Sequence, residues 1–330
     1  MKRVRIYGTL GPACRDPEIL KQMLLEGMDG MRLNLSHATL DEAAEMIDAY
    51  HKACRDSAKV PMLLIDMQGP ELRIGVPDAP LRLSENDRID PDRIPFSEEV
   101  RRALETAPSG QEILLDDGKI LLRTDGANRL CVVRGGILES RKSVALPGIT
   151  IETPAMTEAD LANIRKAESF GVAAVMQPFV RSRDDLLTVR SALDRVGGKR
   201  IRLLAKIESR AGIDKLEELI PCCDEIVIAR GDLGNAMPLW ALPAAQKRIA
   251  AACRAAGRDF MVVTQMLDSM IHKAVPTRAE VSDIFNAVLD GAASVMVTGE
   301  TASGDYPVLA IRYLSQTVRE AEAYLGRRFD

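Results

Sequence analysis

Short apolar runs, each closing on a polar or charged side chain, recur along this chain with helix-length segments between them. Two of them make the pattern plain. Residues 203–207 close on Lys206 and Glu208, and residues 226–229 close on Arg230 and Asp232, with one helix-length segment, 212–223, between. Strand, helix, strand is the reading, and a buried parallel pair is its natural outcome. The same pattern predicts strands at 5–10, 30–35, 61–67, 173–179, 259–266 and 293–298. Helices are predicted after the Asp16 cap and Pro17, then over 39–57 behind a Thr39/Glu42 capping box. Further helices are predicted over 157–170, 182–196, 239–256, 277–289 and 307–325. Eight strands alternating with helices predict an α/β fold, a (β/α)8 TIM barrel. A doubly wound open sheet fits less well, because polar residues close nearly every strand and not one switch point.

The alternation breaks once. Between the third strand and residue 147 stand Pro77, Pro80, Pro91, Pro95 and Pro108, with short alternating runs at 113–115, 120–123 and 130–133 around Asp116-Asp117-Gly118. These read as antiparallel strands. The expected division is therefore a barrel from 1–74 and 147–330, with a small all-β domain inserted over 75–146.

Composition narrows the function classes. The chain has 330 residues, 46% hydrophobic and 28% charged, as an ordinary globular protein has. A net charge of −4 and only 4% aromatic residues argue against nucleic acid and against an anionic membrane surface. The six cysteines show no Cys-x-x-Cys spacing, so reduced core thiols are expected and not a disulfide framework or a zinc site. No signal region and no run of membrane-spanning length is seen, which makes the cytoplasm the expected compartment.

The candidate chemistry lies at the carboxyl ends of the strands: Thr9, Arg32, Asn34, Asp66, Lys206, Glu208, Arg230, Asp232, Thr264 and Thr298. In a barrel these converge on one face. Glu208 and Asp232 offer hard oxygen ligands for a divalent ion, and Arg32, Arg73 and Lys206 offer cations to a phosphate. Gly231 and Asp232 could present backbone N–H groups to a carboxylate. No Walker loop or kinase-type glycine loop is present. A plain set of ion pairs at strand ends is the alternative reading, and residue types alone leave it open.

An ordered series of motifs carries a resemblance. It comprises Thr-Leu-Gly-Pro-Ala at 9–13, Met-Arg-Leu-Asn-Leu-Ser-His at 31–37, Gln-Gly-Pro-Glu-Leu-Arg at 68–73 and Leu-Pro-Gly at 146–148. It continues with Lys-Ile-Glu at 206–208, Ala-Arg-Gly-Asp-Leu-Gly at 229–234 and Thr-Gln-Met-Leu-Asp-Ser-Met at 264–270. Pro-Thr-Arg-Ala-Glu at 276–280 and Gly-Glu-Thr-Ala-x-Gly-Asp-Tyr-Pro at 299–307 complete it. From about residue 5 to its end the chain resembles the pyruvate kinases.

The resemblance implies phosphoryl transfer from phosphoenolpyruvate to ADP, giving pyruvate and ATP. It implies that Glu208 and Asp232 hold Mg²⁺ or Mn²⁺, and that Lys206 stabilises the transferring phosphoryl group. Thr264 would assist protonation of the enolate, and Arg32 and Arg73 would contact phosphate. Gly231, Asp232 and Thr264 would bind substrate, while His37, Arg73 and Lys142 would lie toward the nucleotide. Asn34, Ser36, Asp66 and the carbonyl of Met67 would form a K⁺ site. The 75–146 insertion corresponds to the family's lid, and a homo-oligomer is expected.

Several positions depart from the family pattern. Met67-Gln68 replaces Thr-Lys, Thr298 replaces a common serine, and Asn235-Ala236 replaces an acidic position. Glu71 is the residue that K⁺-dependent members carry where independent members place lysine. Asp66 and Glu71 are therefore expected to face an anionic substrate without compensation. The chain stops after the eighth helix, so the regulatory domain and its sugar-phosphate activation are expected to be absent. Met67 and Gln68 keep two alternatives in view: a relative acting on another small phosphorylated acid, and a metal-dependent lyase handling pyruvate enolate without nucleotide. A non-catalytic regulator is disfavoured by the intact metal pair and Lys206.

Overall fold

The computed structural model describes residues 3–328 other than Asp117, Ala127, Asn128, Thr150 and Glu152. Contacts divide the chain into two compact units. One comprises residues 1–69, 155–230 and 243–330, and the other residues 70–154 and 231–242.

The first unit contains eight parallel strands closed into a barrel. They are β1 (Arg5–Thr9), β2 (Gly30–Asn34), β3 (Leu63–Asp66), β4 (Val172–Gln177), β5 (Arg202–Ile207), β6 (Glu225–Ala229), β7 (Phe260–Val263) and β8 (Ser294–Met296). Each pairs with its sequence neighbours, and β8 closes on β1. Closure satisfies every strand edge, and the intervening helices bury the outer faces. Inside, Tyr7, Leu64, Met176, Leu204, Val227 and Met261 form one apolar cluster. Side chains alternate along a strand. The faces that carry Tyr7, Leu64 and Leu204 therefore also carry Thr9, Asp66 and Lys206, one step nearer the carboxyl end. That alternation is why the polar strand ends point into the barrel mouth. Gly30 opens β2 because a Cβ there would lie 2.4 Å from the Met62 carbonyl and 2.7 Å from the Tyr7 ring.

Helix starts are capped by side chains, the expected Asp16 among them. Asp16, Thr157, Ser182 and Thr277 each accept a backbone N–H from the first turn. Three expectations are corrected. The helix expected over 39–57 begins only at Ala44, since the Thr39–Glu42 box closes a separate turn before it. The segment 212–223 is not one helix but Arg210–Asp214, Leu216–Leu219 and the 3-10 turn Ile220–Cys222, where Pro221 has no N–H for a continuous ladder. The strand expected to reach 266 ends at Val263, because Thr264 and Gln265 turn left-handed, with φ of +78° and +54°.

The second unit holds an antiparallel five-stranded sheet and a two-stranded one. Its core gathers Ile74, Phe96, Ile113, Leu122, Val132 and Val144. The expected strands stand at Glu112–Leu115, Ile120–Thr124 and Leu130–Arg134. Of the turn between the first two, Asp116 and Gly118 both have positive φ, while Asp117 lies outside the described residues. The unit also carries one helix, Glu98–Glu105, capped by Ser97, so it is β-rich but not wholly β. Residues 75–146 fall inside it, together with 70–74, 147–154 and 231–242.

The amino ends of the strands are closed by charge. Glu225, at the start of β6, is fully buried. It accepts from Arg5 at 3.2 Å and Arg202 at 2.7 Å, and also from the Ser294 hydroxyl. Burial and its neighbours push the Tyr7 hydroxyl just above it up to about 12, with desolvation the largest cause. A paired buried charge is stabilising only while the pair is complete. Glu225→Ala should therefore lower stability by about 2 kcal/mol or more, reduced from the fully buried case because both arginines are partly exposed. A urea midpoint equal to that of the wild type would show that the arginines are hydrated without Glu225.

Candidate active site

At the opposite end of the barrel, Arg32, Asp66, Lys206 and Glu208 join into one chain of ion pairs. Asp66 closes β3 in register with Asn34 on β2 and Met176 on β4. Its side chain is almost wholly buried. Oδ2 accepts from Arg32 Nε at 2.9 Å and Nη2 at 2.7 Å. Lys206 Nζ lies 3.2 Å from both Asp66 oxygens and 2.8 Å from Glu208 Oε1. The other Glu208 oxygen accepts the Phe179 N–H at 2.7 Å. Burial alone would raise the Asp66 carboxyl. Lys206 and Arg32 outweigh it and hold the group below the usual carboxylate range.

This geometry corrects one expectation. Asp66 is not uncompensated, since it carries two cations. Arg32 and Lys206 supply +2, and Asp66 and Glu208 supply −2, so the four side chains are together neutral. The ion-pair reading of the strand ends is thus correct as geometry. It does not exclude chemistry, because these pairs stand at the barrel's carboxyl face, where barrel enzymes build their sites.

The residues expected to hold K⁺ are grouped around β2 and β3. Leu35 N–H donates to the Asp66 carbonyl at 2.9 Å, and Asn34 Oδ1 accepts from Ser36 N–H at 3.2 Å. Met67 is buried, its N–H donating to the Met176 carbonyl at 3.1 Å. An amide, a hydroxyl, a carboxylate and a peptide carbonyl form an all-oxygen donor set with a single anion, suited to a hard monovalent cation. His37 follows on an exposed turn.

Thr264 sits just past β7. Arg230, at the end of β6, donates to its carbonyl from Nε at 3.1 Å and Nη2 at 2.8 Å, and Arg230 Nη1 is held by Asp283 at 2.5 Å. Left-handed backbone at a β-branched residue is a genuine outlier and costs about 1–3 kcal/mol. Thr298, after β8, donates its N–H to Glu300 Oε2 at 2.7 Å.

In the second unit, Arg73 is engaged by Glu71 at 2.6 Å and by the Arg141 carbonyl at 2.7 Å. Glu71 is therefore compensated too, contrary to expectation. Lys142 pairs with Asp116 at 3.0 Å and Glu139 at 3.4 Å, and the Asp116 hydrogen bond raises its pKa. Gly231 and Asp232 lie in the short helix Arg230–Asn235, which directly follows β6, and Asp232 is exposed.

Among the described residues no three His, Cys, Asp or Glu side chains come together as a metal cluster. The expected ligand pair, Glu208 and Asp232, offers two carboxylates. That suits Mg²⁺, which keeps waters and substrate oxygens in its shell.

Two supporting residues escaped the sequence reading. Asp160 is buried and accepts the N–H groups of Gln68 at 2.9 Å and Gly69 at 3.1 Å while closing a capping box with Thr157. It fixes the turn after β3, where Gly69 has φ of +62° and Pro178 leaves no room for a Cβ. The Thr-x-x-Asp spacing at 157–160 would have revealed the cap but not this second duty. Glu300, also buried, accepts the Leu267 N–H at 3.0 Å besides that of Thr298, and so links the loops after β7 and β8. It stands in the motif at 299–307, but nothing there marks it as the link between these loops.

Comparison with known proteins matches residues 1–311 to the family model "Pyruvate kinase, barrel domain". The chain is 34% identical to a pyruvate kinase of Sporosarcina psychrophila over 99% of its own length and 58% of that protein's. It is 37% identical to one from Mycobacterium intracellulare, over 97% and 70% respectively. A human pyruvate kinase is 37% identical over 98% of this chain and 60% of its own length. The chain thus spans roughly three-fifths to seven-tenths of these relatives.

Asp66→Asn should leave Arg32 and Lys206 without their common anion and destabilise the fold by about 3 kcal/mol or more at neutral pH. Because the folded pKa of Asp66 is depressed, its contribution is complete above the unfolded value near 3.9 and is lost as pH falls below it. The gap between wild type and variant in urea titrations should be full at pH 7 and narrow below about pH 4. A gap that is constant with pH would contradict the assigned ionisation.

Proposed function

The chain belongs to the pyruvate kinase family, and from that premise we propose that it transfers the phosphoryl group of phosphoenolpyruvate to ADP, giving pyruvate and ATP. The observation that carries the reading is the ion-pair chain Arg32–Asp66–Lys206–Glu208 at the barrel's carboxyl face. Phosphoryl transfer needs positioning and charge neutralisation more than covalent chemistry. Lys206, held between two carboxylates, is the side chain we assign to the transferring phosphoryl group. Arg32 and Arg73 are assigned to phosphate, with Gly231, Asp232 and Thr264 to the rest of the substrate and Thr264 to the enolate. His37, Arg73 and Lys142 are assigned to the nucleotide, and residues 75–146 to a lid.

The neutrality of the barrel-mouth quartet bears on the cofactors. Two cations already matched by two carboxylates leave no surplus positive charge for a phosphate. Added metal ions would supply it. Glu208 and Asp232 are the proposed ligands of Mg²⁺ or Mn²⁺, and Asn34, Ser36, Asp66 and the Met67 carbonyl those of K⁺. When bound, the divalent ion would neutralise charge on the phosphoryl oxygens. We assign the reaction to cytoplasmic glycolysis. Among the described residues no helix is long and apolar enough to cross a membrane.

A coupled assay tests the reading. Pyruvate should form from phosphoenolpyruvate only when ADP is present. Formation without ADP would favour a lyase, and no turnover at all would favour another phosphorylated acid. Lys206→Ala should keep the fold and lose roughly 10²–10³-fold or more in turnover. A loss under tenfold would remove Lys206 from the mechanism.

Monovalent-ion dependence is a separate outcome. Activity should rise strongly when tetramethylammonium is replaced by K⁺ at saturating Mg²⁺ and substrates. The described Arg32 and Lys206 charges are spent on carboxylates, so no side chain of the quartet stands in for the ion. Equal rates in both buffers would mean that the Met67-Gln68 replacement has dismantled the site.

A further inference from the structure

The Arg230 guanidinium has three kinds of partner and they do not look alike. Two of its nitrogens converge on one carbonyl, that of Thr264, at 3.1 and 2.8 Å. Nη2 also reaches Met266 Sδ at 3.0 Å. The third nitrogen is fixed by Asp283, on the helix Arg278–Leu289. The side chain is 10% exposed, so these contacts are made out of water, where they are strong.

The carbonyl and sulfur contacts fall on the same short segment, and Asp283 orients the guanidinium toward it. Thr264 and Gln265 are consecutive non-glycine residues in the left-handed region. A β-branched threonine does not choose that conformation by itself. It persists only where its surroundings over-determine it. On one side Arg230 holds the carbonyl of Thr264. On the other, Glu300 accepts the N–H of Leu267 at 3.0 Å while also accepting that of Thr298. The four residues 264–267 are therefore gripped from the strand ends before and after their own.

We infer that Arg230 is a positioning residue for Thr264: its guanidinium, oriented by Asp283, holds the Thr264 peptide in the left-handed conformation that fixes where the hydroxyl is presented. The inference rests on the proposed role of Thr264 at the enolate, and it assigns Arg230 no contact with substrate. An ion pair serving only stability would be expected to join side chain to side chain. Here two of the three nitrogens of the guanidinium are directed at a strained main-chain carbonyl of a site residue.

Two measurements test it, one of them without substrate. In Arg230→Lys a single ammonium cannot serve both Asp283 and the carbonyl in the same fork. Amide hydrogen exchange across 264–267 should then speed up while that of the barrel strands stays as in the wild type. Unchanged exchange at 264–267 would overturn the clamp. In turnover, Arg230→Lys should lose about 10- to 100-fold in kcat, as small misplacements of catalytic groups do, with KM for phosphoenolpyruvate nearly constant. Thr264→Ser keeps the hydroxyl but drops the γ-methyl that resists positive φ. On the Arg230→Lys background it should restore part of the lost kcat, whereas in the wild-type background it should bring no gain. A double variant no faster than Arg230→Lys, or an Arg230→Lys enzyme with wild-type kcat, would overturn the positioning role. Wild-type protein that forms no pyruvate would instead refute the functional reading, and hydrogen exchange would then decide the clamp by itself.

Discussion

The barrel's carboxyl face depends on one buried carboxylate, Asp66. Its desolvation is unfavourable, and only the two cations packed against it make its ionised form stable. In return it fixes both cations: Arg32 through two donors to one oxygen, Lys206 against both oxygens. Lys206 is then placed to reach Glu208, and Glu208 reaches the Phe179 N–H after β4. The ends of β2, β3 and β5 are thereby tied together through side chains, and β4 joins through the Phe179 N–H. Remove Asp66 and each of those side chains would have to find a new anion in a mouth that offers few.

Left-handed backbone at large side chains marks the same face. Phe179, Thr264 and Gln265 are all left-handed without being glycine, and each lies just beyond a strand's carboxyl end. At the amino ends the left-handed positions before β2, β4, β7 and β8 are the glycines Gly27, Gly171, Gly257 and Gly291, which adopt that backbone without strain. Ala58, on the way to β3, is the non-glycine exception. Strain of this kind is stored where geometry must be held against local preference. Each such peptide is gripped by a charged side chain: Glu208 accepts the Phe179 N–H, and Arg230 donates to the Thr264 carbonyl.

Much of this was legible in the sequence, and the limit has a physical cause. Period-two and period-3.6 patterning reveals strands and helices because burial acts on single residues at fixed spacing. Hence all eight strands and the polar residues at their ends could be placed, together with the cap Asp16. Pairing is different, since partners such as Asp66 and Lys206 lie far apart in the chain. An expectation of Asp66 as a bare charge failed for that reason, since Arg32 and Lys206 compensate it; Glu71 is compensated by Arg73 only two residues on, a pairing that spacing alone does not reveal. The end of β7 was overrun because nothing in Thr264-Gln265 announces a left-handed turn. Asp160 and Glu300 stayed hidden because their partners are backbone N–H groups, which carry no sequence identity.

Both ends of the barrel use the same device, a buried carboxylate between two cations, and they put it to different ends. At the amino end Glu225 sits between Arg5 and Arg202, at the start of β6, with the Ser294 hydroxyl as a further donor. Arg5 also lies 3.8 Å from Asp259, and the strands above Glu225 are filled by the apolar cluster around Tyr7 and Met261. At the carboxyl end Lys206 is shared between Asp66 and a second carboxylate, Glu208. Sharing leaves the ammonium bound less exclusively to either acid, so an incoming anion competes with two partial pairings and not with one complete pair. Asp259 is partly exposed, so that second pairing stands at the rim, whereas Glu208 is buried within the mouth beside Lys206. That placement follows from a carboxylate set two residues after a lysine on a strand, so that both lie on the same face.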